Sequence, residues 1–160
     1  MGCVGARDCV LSEQEVADLR LLDVSIEDNL SVTVYRVAHI LGKHFRSGEW
    51  VKRRCGSVIT CVMSGRSVYA TVKRFFEVDQ DDSPGYASVT LFGVPEYPAY
   101  PNPVLVRCRE VDPDGLVEAY GCVVPITQIE PTQVMVEREE DHEFCWMMRD
   151  SGYDNTLRGH

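Results

Sequence analysis

Residues 66–93, RSVYATVKRFFEVDQDDSPGYASVTLFG, hold two runs rich in β-branched and aromatic residues around an acidic connection that ends in Pro84-Gly85. Such runs, bounded by turn formers, predict two strands joined by an exposed connection over residues 79–85. Simple alternation along residues 67–78 puts Val68, Ala70, Val72 and Phe76 on one side and Phe75 on the other. Working outward, VITCVM (58–63) precedes the first strand and closes on Ser64-Gly65, a pair that suits a hairpin turn. Downstream, VLVRCREV (104–111), a DPDG turn (112–115) and CVVPITQIEPTQVMV (122–136) continue the pattern. Strands at short spacing with no helical periodicity between them predict an all-β fold, either a small sandwich or, as the leading expectation, a small, partly open β-barrel.

Upstream, SVTVYRVAHI (31–40) predicts a strand, with a bulge where the alternation slips at Arg36. Gly42 and Ser47-Gly48 then break the pattern, so KHFRSGEWVKRR (43–54) is expected as a loop. Ser12 with Glu15 three positions later is a capping-box spacing, and Val16 and Leu19, with Leu22, lie toward one face of a short helix over 13–22. Residues 1–10 are expected to fray. The prolines of VPEYPAYPNP (94–103) lack amide donors, so that stretch is expected as an extended loop and not a central strand. Beyond Val136 the chain turns acidic, and FCWMM (144–148) is expected to dock back as a short helix. The domain division is 1–30 with the helix, 31–137 as the β domain, and 138–160 as an acidic, flexible tail.

With 160 residues, 44% of them hydrophobic and 26% charged, the chain suits one folded domain with tails. Its net charge of −9 is unevenly spread. Tyr35 to Arg74 holds nine Lys or Arg and one acid, Glu49, which leaves about −17 on the rest. That asymmetry marks either a basic contact face or two solvated faces that attract each other. Seven cysteines, an odd number without a secretory leader, favour a reducing intracellular compartment. No apolar run is long enough to span a bilayer, so no membrane is expected. Met1-Gly2-Cys3 invites acylation, but Ala6 stands where the myristoylation pattern wants Ser or Thr.

The order of strands resembles a BAH (bromo-adjacent homology) domain. The resemblance rests on Val68, Tyr69, Ala70 and Val72, the acidic turn at Asp79 to Asp82, and Phe92 with Pro95 and Glu96. Its best part covers about 30 residues, Ser67 to Glu96, and the looser order of strands extends it to about 70 through Val124, Pro125 and Ile129. The chain departs from the family where Leu91 replaces a Trp, Gly93 the second aromatic of a pair, and Val94 an Arg. The pattern is also similar to β-modules of transposon-derived proteins. The resemblance implies a chromatin or transposase-complex setting, and with it the nucleus.

No catalytic constellation accompanies these strands, and the chain is expected to be neither an enzyme nor a holder of a cofactor or metal. His39, His44, Cys55 and Cys61 are the best zinc candidates by ligand type, and the four residues between the histidines fit a structural site, yet Cys55 and Cys61 are separated by five and no CxxC is present. Cys55 follows Lys52, Arg53 and Arg54, a setting that would activate a thiol, but no histidine is placed beside it by sequence. Asp81 with Asp82, and Glu139 with Glu140, sit in polar runs that suit solvated faces.

Two contact surfaces remain. Trp50, Tyr69, Tyr86, Tyr97 and Tyr100 offer aromatic faces for a protein segment, including a modified lysine. Lys43, Arg46, Lys52, Arg53 and Arg54 offer a phosphate-contacting patch. The leading expectation is a non-catalytic protein-interaction module with an unidentified protein partner, and the alternative is a nucleic-acid-contacting module using residues 43–54.

Overall fold

The computed structural model describes residues 7–24, 31–48, 57–78, 84–99, 102–106, 108–111, 117–119, 121–131, 134, 136–140 and 144–147. These residues form a mostly β protein with one short helix. Its centre is a six-stranded antiparallel sheet built from β1 (Arg7–Val10), β2 (Ser31–Tyr35), β5 (Val58–Met63), β6 (Arg66–Val78), β7 (Tyr86–Leu91) and β12 (Gly121–Pro125). The 13-residue β6 organises it: β7 pairs along one edge, while the other edge is shared by β5 at the start and β2 at the end.

The sheets do not close into a barrel. The path runs from β1 to β12 with two distinct ends. After β12 a single 3-10 turn, Ile126–Gln128, brings Ile129 back to β5 at one bridge with Cys61, and the Glu130 amide donates to the Thr60 carbonyl at 2.9 Å. The sheet curls toward closure there without a continuous ladder.

A β-bulge decides how β6 serves two cores. Val72 pairs with Val89 and Arg74 with Ser88, so Lys73 is the extra residue and alternation shifts by one. The expected sharing of a face by Val72 and Phe76 is therefore corrected. Ala70, Val72 and Phe75 face one core with Ile59, Cys61, Val89 and Val124, while Phe76 and Val78 face another with Val32, Val34 and Tyr86. Both phenylalanines are fully buried.

The helix α1 (Glu13–Leu21) covers that second core. Nine residues are too few for a stable helix in water, so its contacts hold it. Ser12 Oγ accepts from the Glu15 amide at 3.2 Å, and Glu15 Oε1 accepts from the Ser12 amide at 3.0 Å, completing the capping box read from the sequence. Leu19 is fully buried among the β2 and β6 side chains and Val16 packs beside it. Glu15 also forms a buried ion pair with Arg74 of β6, through Nε at 2.8 Å and through Nη2.

Several expectations are corrected at the periphery. Arg7–Val10 is not frayed but pairs with β2 as β1. The run over 31–40 is split at Arg36 into β2 and β3 (Val37–Ile40), and β3 forms a hairpin with β4 (Lys43–Arg46), which was expected as loop. The proline-rich stretch contains β8 (Glu96–Ala99) and the start of β9 (Asn102–Val106). With Pro98 inside it, β8 lies at the edge of its sheet, the position where a strand tolerates proline, and its pairing with β9 is irregular between Glu96 and Ala99. Residues 104–111 are divided between β9 and β10 (Arg109–Val111), and β10 pairs with β11 (Val117–Ala119). Finally, β13 (Val136–Glu140) and β14 (Phe144–Met147) form a hairpin whose second strand pairs with β9, so FCWM is strand and not helix.

The four-stranded sheet thus runs β13-β14-β9-β8. It joins the central sheet where the Gly93 amide donates to the Val106 carbonyl and the Cys108 amide to the Leu91 carbonyl. Val58, Phe92, Leu105 and Val134 fill a third small core at that junction, with Tyr69 against it.

Candidate functional site

The β3–β4 hairpin is the most exposed structured part of the segment rich in basic residues. Its inner side chains, Ala38, Ile40 and Phe45, belong to the main core, and Phe45 is 1% exposed. Those contacts anchor the hairpin from below, and the Ser57 side chain accepts from the Arg46 amide at 2.7 Å to tie it to the start of β5.

The outer face follows from the ladder. The Ser47 amide donates to the Arg36 carbonyl at 2.9 Å, so residues 36 and 47 are a hydrogen-bonded pair. Counting inward, 38 with 45 and 40 with 43 are also hydrogen-bonded pairs, whereas Val37 with Arg46 and His39 with His44 are the close, non-hydrogen-bonded kind. His39, His44 and Arg46 are exposed on this face. The two imidazoles stack with centroids 4.0 Å apart and an interplanar angle of 17°.

At the tip, Leu41 and Gly42 have φ of +48° and +81°. Positive φ at both central residues is the geometry that two-residue hairpins favour, and it normally selects Asn, Asp or Gly at the first position. Leucine there is an uncommon choice, and its side chain is 80% exposed. The residue is thus placed against both its backbone preference and its hydrophobicity.

Of the five expected nucleic-acid contacts, Lys43 and Arg46 lie on β4 and both are exposed. Three positions apart on one strand, they point to opposite faces, and Arg46 shares its face with the histidine pair. Lys52, Arg53 and Arg54 lie outside the described residues. Every described exposed Lys or Arg between residues 31 and 74, namely Arg36, Lys43, Arg46, Arg66 and Lys73, is accompanied by no exposed Asp or Glu in the described part of that span. Arg74, part of the same basic segment in sequence, is 6% exposed and engaged with Glu15, so it belongs to the core and not to the surface.

The aromatic surface is corrected at one position. Tyr86 sits opposite Phe76, on the sheet face that α1 covers, and is 4% exposed with its ring 5.7 Å from that of Phe76. It is a core residue with no face for a ligand. Tyr69 is half-buried against the third core. Tyr97 falls on β8, its side chain outside the described residues, as are Trp50 and Tyr100.

The four-ligand zinc arrangement is not assembled. Cys61 is fully buried in the main core, whereas the two histidines project from the opposite side of the hairpin, and Cys55 lies outside the described residues. Among the described residues no group of three or more His, Cys, Asp or Glu is placed to hold a metal ion. Burial, reinforced by the Glu130 charge, pushes the Cys61 thiol up to about 11. Burial, with Cys61 and Asp18 adding to it, pushes Cys122 up to about 12. Both are protonated hydrophobes at neutral pH and poor nucleophiles.

What sequence inspection missed is the tip. The string His39-Ile40-Leu41-Gly42-Lys43-His44 places the histidines symmetrically about a two-residue turn, which is the signal that pairs them across a hairpin. No helix among the described residues is long and apolar enough to cross a membrane. Comparison with protein-family models, with curated proteins and with solved structures gives no match for this chain.

Proposed function

We propose that this chain is a non-catalytic protein-interaction module, similar to a BAH domain, that engages a protein partner through the tip and outer face of the β3–β4 hairpin. The observation that carries this is Leu41. An 80% exposed leucine held at φ +48° costs the folded chain on two counts, and such costs persist at positions that serve contact. The inner residues Ala38, Ile40 and Phe45 fix the hairpin to the core, so the tip meets a partner with little ordering left to do. The likeness over Ser67 to Glu96, the β6 to β7 unit, supports a chromatin or transposase-associated setting within the nucleus.

The test uses the purified chain as bait in nuclear extract, with retained proteins identified by mass spectrometry and then bound again in purified form. Leu41→Asn keeps the turn and removes the apolar tip. A partner held by the native chain and lost by the variant supports the proposal; equal retention by both removes the hairpin from the contact.

A second reading is favoured by the exposed basic side chains Lys43 and Arg46 in a span whose described residues include no Asp or Glu from 31 to 74. On that reading the hairpin contacts phosphates. Arg46→Glu, on the outer face, then weakens duplex DNA binding and lowers the steepness of its salt dependence by about 1 in log–log slope. Anisotropy titrations across a salt series check this, and unchanged binding eliminates the reading.

A further inference from the structure

We propose that His39 and His44 form a two-ligand chelate for a borderline divalent cation, Zn2+ above all. Three observations converge on it. The histidines occupy a non-hydrogen-bonded pair of the β3–β4 ladder, the register that brings cross-strand Cβ atoms closest. Their rings are already face to face at 4.0 Å, so the two imidazoles are gathered before any metal arrives. Both side chains are exposed, which leaves the open coordination positions accessible.

Chelation requires side-chain rotation that unstacks the rings, on a backbone already in register. Zinc–imidazole bonds of about 2.0–2.1 Å place two nitrogens of a tetrahedral ion about 3.4 Å apart. In the stack the in-plane nitrogen lone pairs lie in two nearly parallel planes, so the rings rotate about Cα–Cβ and Cβ–Cγ out of the stack before one nitrogen of each points at a common site. The backbone need not move, because the turn and the core contacts of Ile40 and Phe45 fix the hairpin beneath.

Charge works in two directions. Arg46, on the same face and diagonal to His39, weakens cation binding by a factor of a few and favours an anionic group in the remaining positions. Imidazole nitrogen suits zinc better than magnesium or calcium, which prefer oxygen. The site is therefore selective by ligand type, of modest affinity, and completed by water or by a carboxylate from outside the chain. The inference does not depend on the protein-interaction proposal, since the metal alone is the probe.

The experiment is a Zn2+ titration of the full chain labelled with 15N, following the imidazole ring resonances so that cysteine binding does not contribute to the signal. The expected result is that two histidine ring systems shift together and saturate at one Zn2+ per pair. In His39→Asn the remaining His44 ring, and in His44→Asn the remaining His39 ring, loses at least about tenfold in affinity. Both changes are at exposed positions, and the amide spectrum verifies that each variant is folded. Ring signals that stay fixed up to about 1 mM Zn2+, the weak end of specific binding, overturn the proposal. So does a His44 response of undiminished affinity in His39→Asn.

Discussion

Glu15 joins two structures with one carboxylate. Its Oε1 completes the capping box with the Ser12 amide, and both oxygens receive Arg74, which lies buried on β6. Burial is the largest influence on its proton affinity and raises it, but the Arg74 bonds and charge together with the Ser12 bonds outweigh that and hold the carboxyl below its ordinary value. A group depressed on folding stabilises the native state above its unfolded pKa, about 4.3 for Glu, and loses that contribution as pH falls through the folded value. Stability measured by urea unfolding is thus expected to decline on acidification from pH 5 downward. In Glu15→Gln at neutral pH, the buried Arg74 guanidinium loses the carboxylate charge it meets through Nε and Nη2, and a loss of about 3 kcal/mol is expected. Removing both partners, as in Glu15→Leu with Arg74→Met, is expected to recover most of it. A double variant as unstable as Glu15→Gln would show that the pair is not the source.

The two core thiols give a second prediction at this scale. With Cys61 near 11 and Cys122 near 12, the thiolate fraction at pH 8 falls by about two orders of magnitude or more relative to a free cysteine. Timed alkylation with iodoacetamide, mapped by mass spectrometry, should find both slow in the native chain and ordinary in urea. Rapid native labelling of Cys61 contradicts the burial described above.

Among the elements, the hairpins show where conformation and composition disagree. Leu41-Gly42 and Ser64-Gly65 adopt the same positive-φ pairing, yet serine there is an ordinary polar turn residue and leucine is not. Leu41→Asn is expected to raise the melting temperature, by relieving about 0.5–1 kcal/mol of backbone cost at a turn that favours Asn-Gly. Gain of stability with loss of partner is the combination that separates a contact residue from a structural one. A fall in melting temperature would mean that Leu41 packs usefully within the chain. The β6 bulge is the counterpart inside the sheet: Lys73 shifts the alternation so that Phe75 and Phe76, adjacent in sequence, both reach cores.

For the molecule as a whole, the central sheet is covered on both faces. The β3–β4 hairpin and the 3-10 turn at Ile126 close one side, while α1 and the junction with the four-stranded sheet close the other. Amides in the middle of β6, paired on both edges, are therefore expected to exchange only through global opening, whereas the two-stranded β10–β11 unit exchanges first. Hydrogen exchange read by mass spectrometry checks that order, and early exchange in β6 would place the stable core elsewhere.

Strand content, the helix at 13–21 and its capping box, and the turn at Ser64-Gly65 were legible because each depends on neighbours in sequence. Local patterns were less informative where long-range pairing overrides them. Arg7–Val10 has no strong pattern of its own and becomes a strand because β2 offers it an edge. FCWM becomes a strand because β9 does the same. The contact surfaces divide in the same way. Sequence alone determined that nine of the sixteen Lys and Arg fall in one stretch and that two histidines flank Leu41-Gly42 at equal distance. Only the tertiary structure decided that Arg74 and Tyr86 are interior, that Lys43 and Arg46 face apart, and that the histidine rings meet. The reason is physical: charge and residue type are written along the chain, but burial and side-chain facing depend on strand register and on what covers each face.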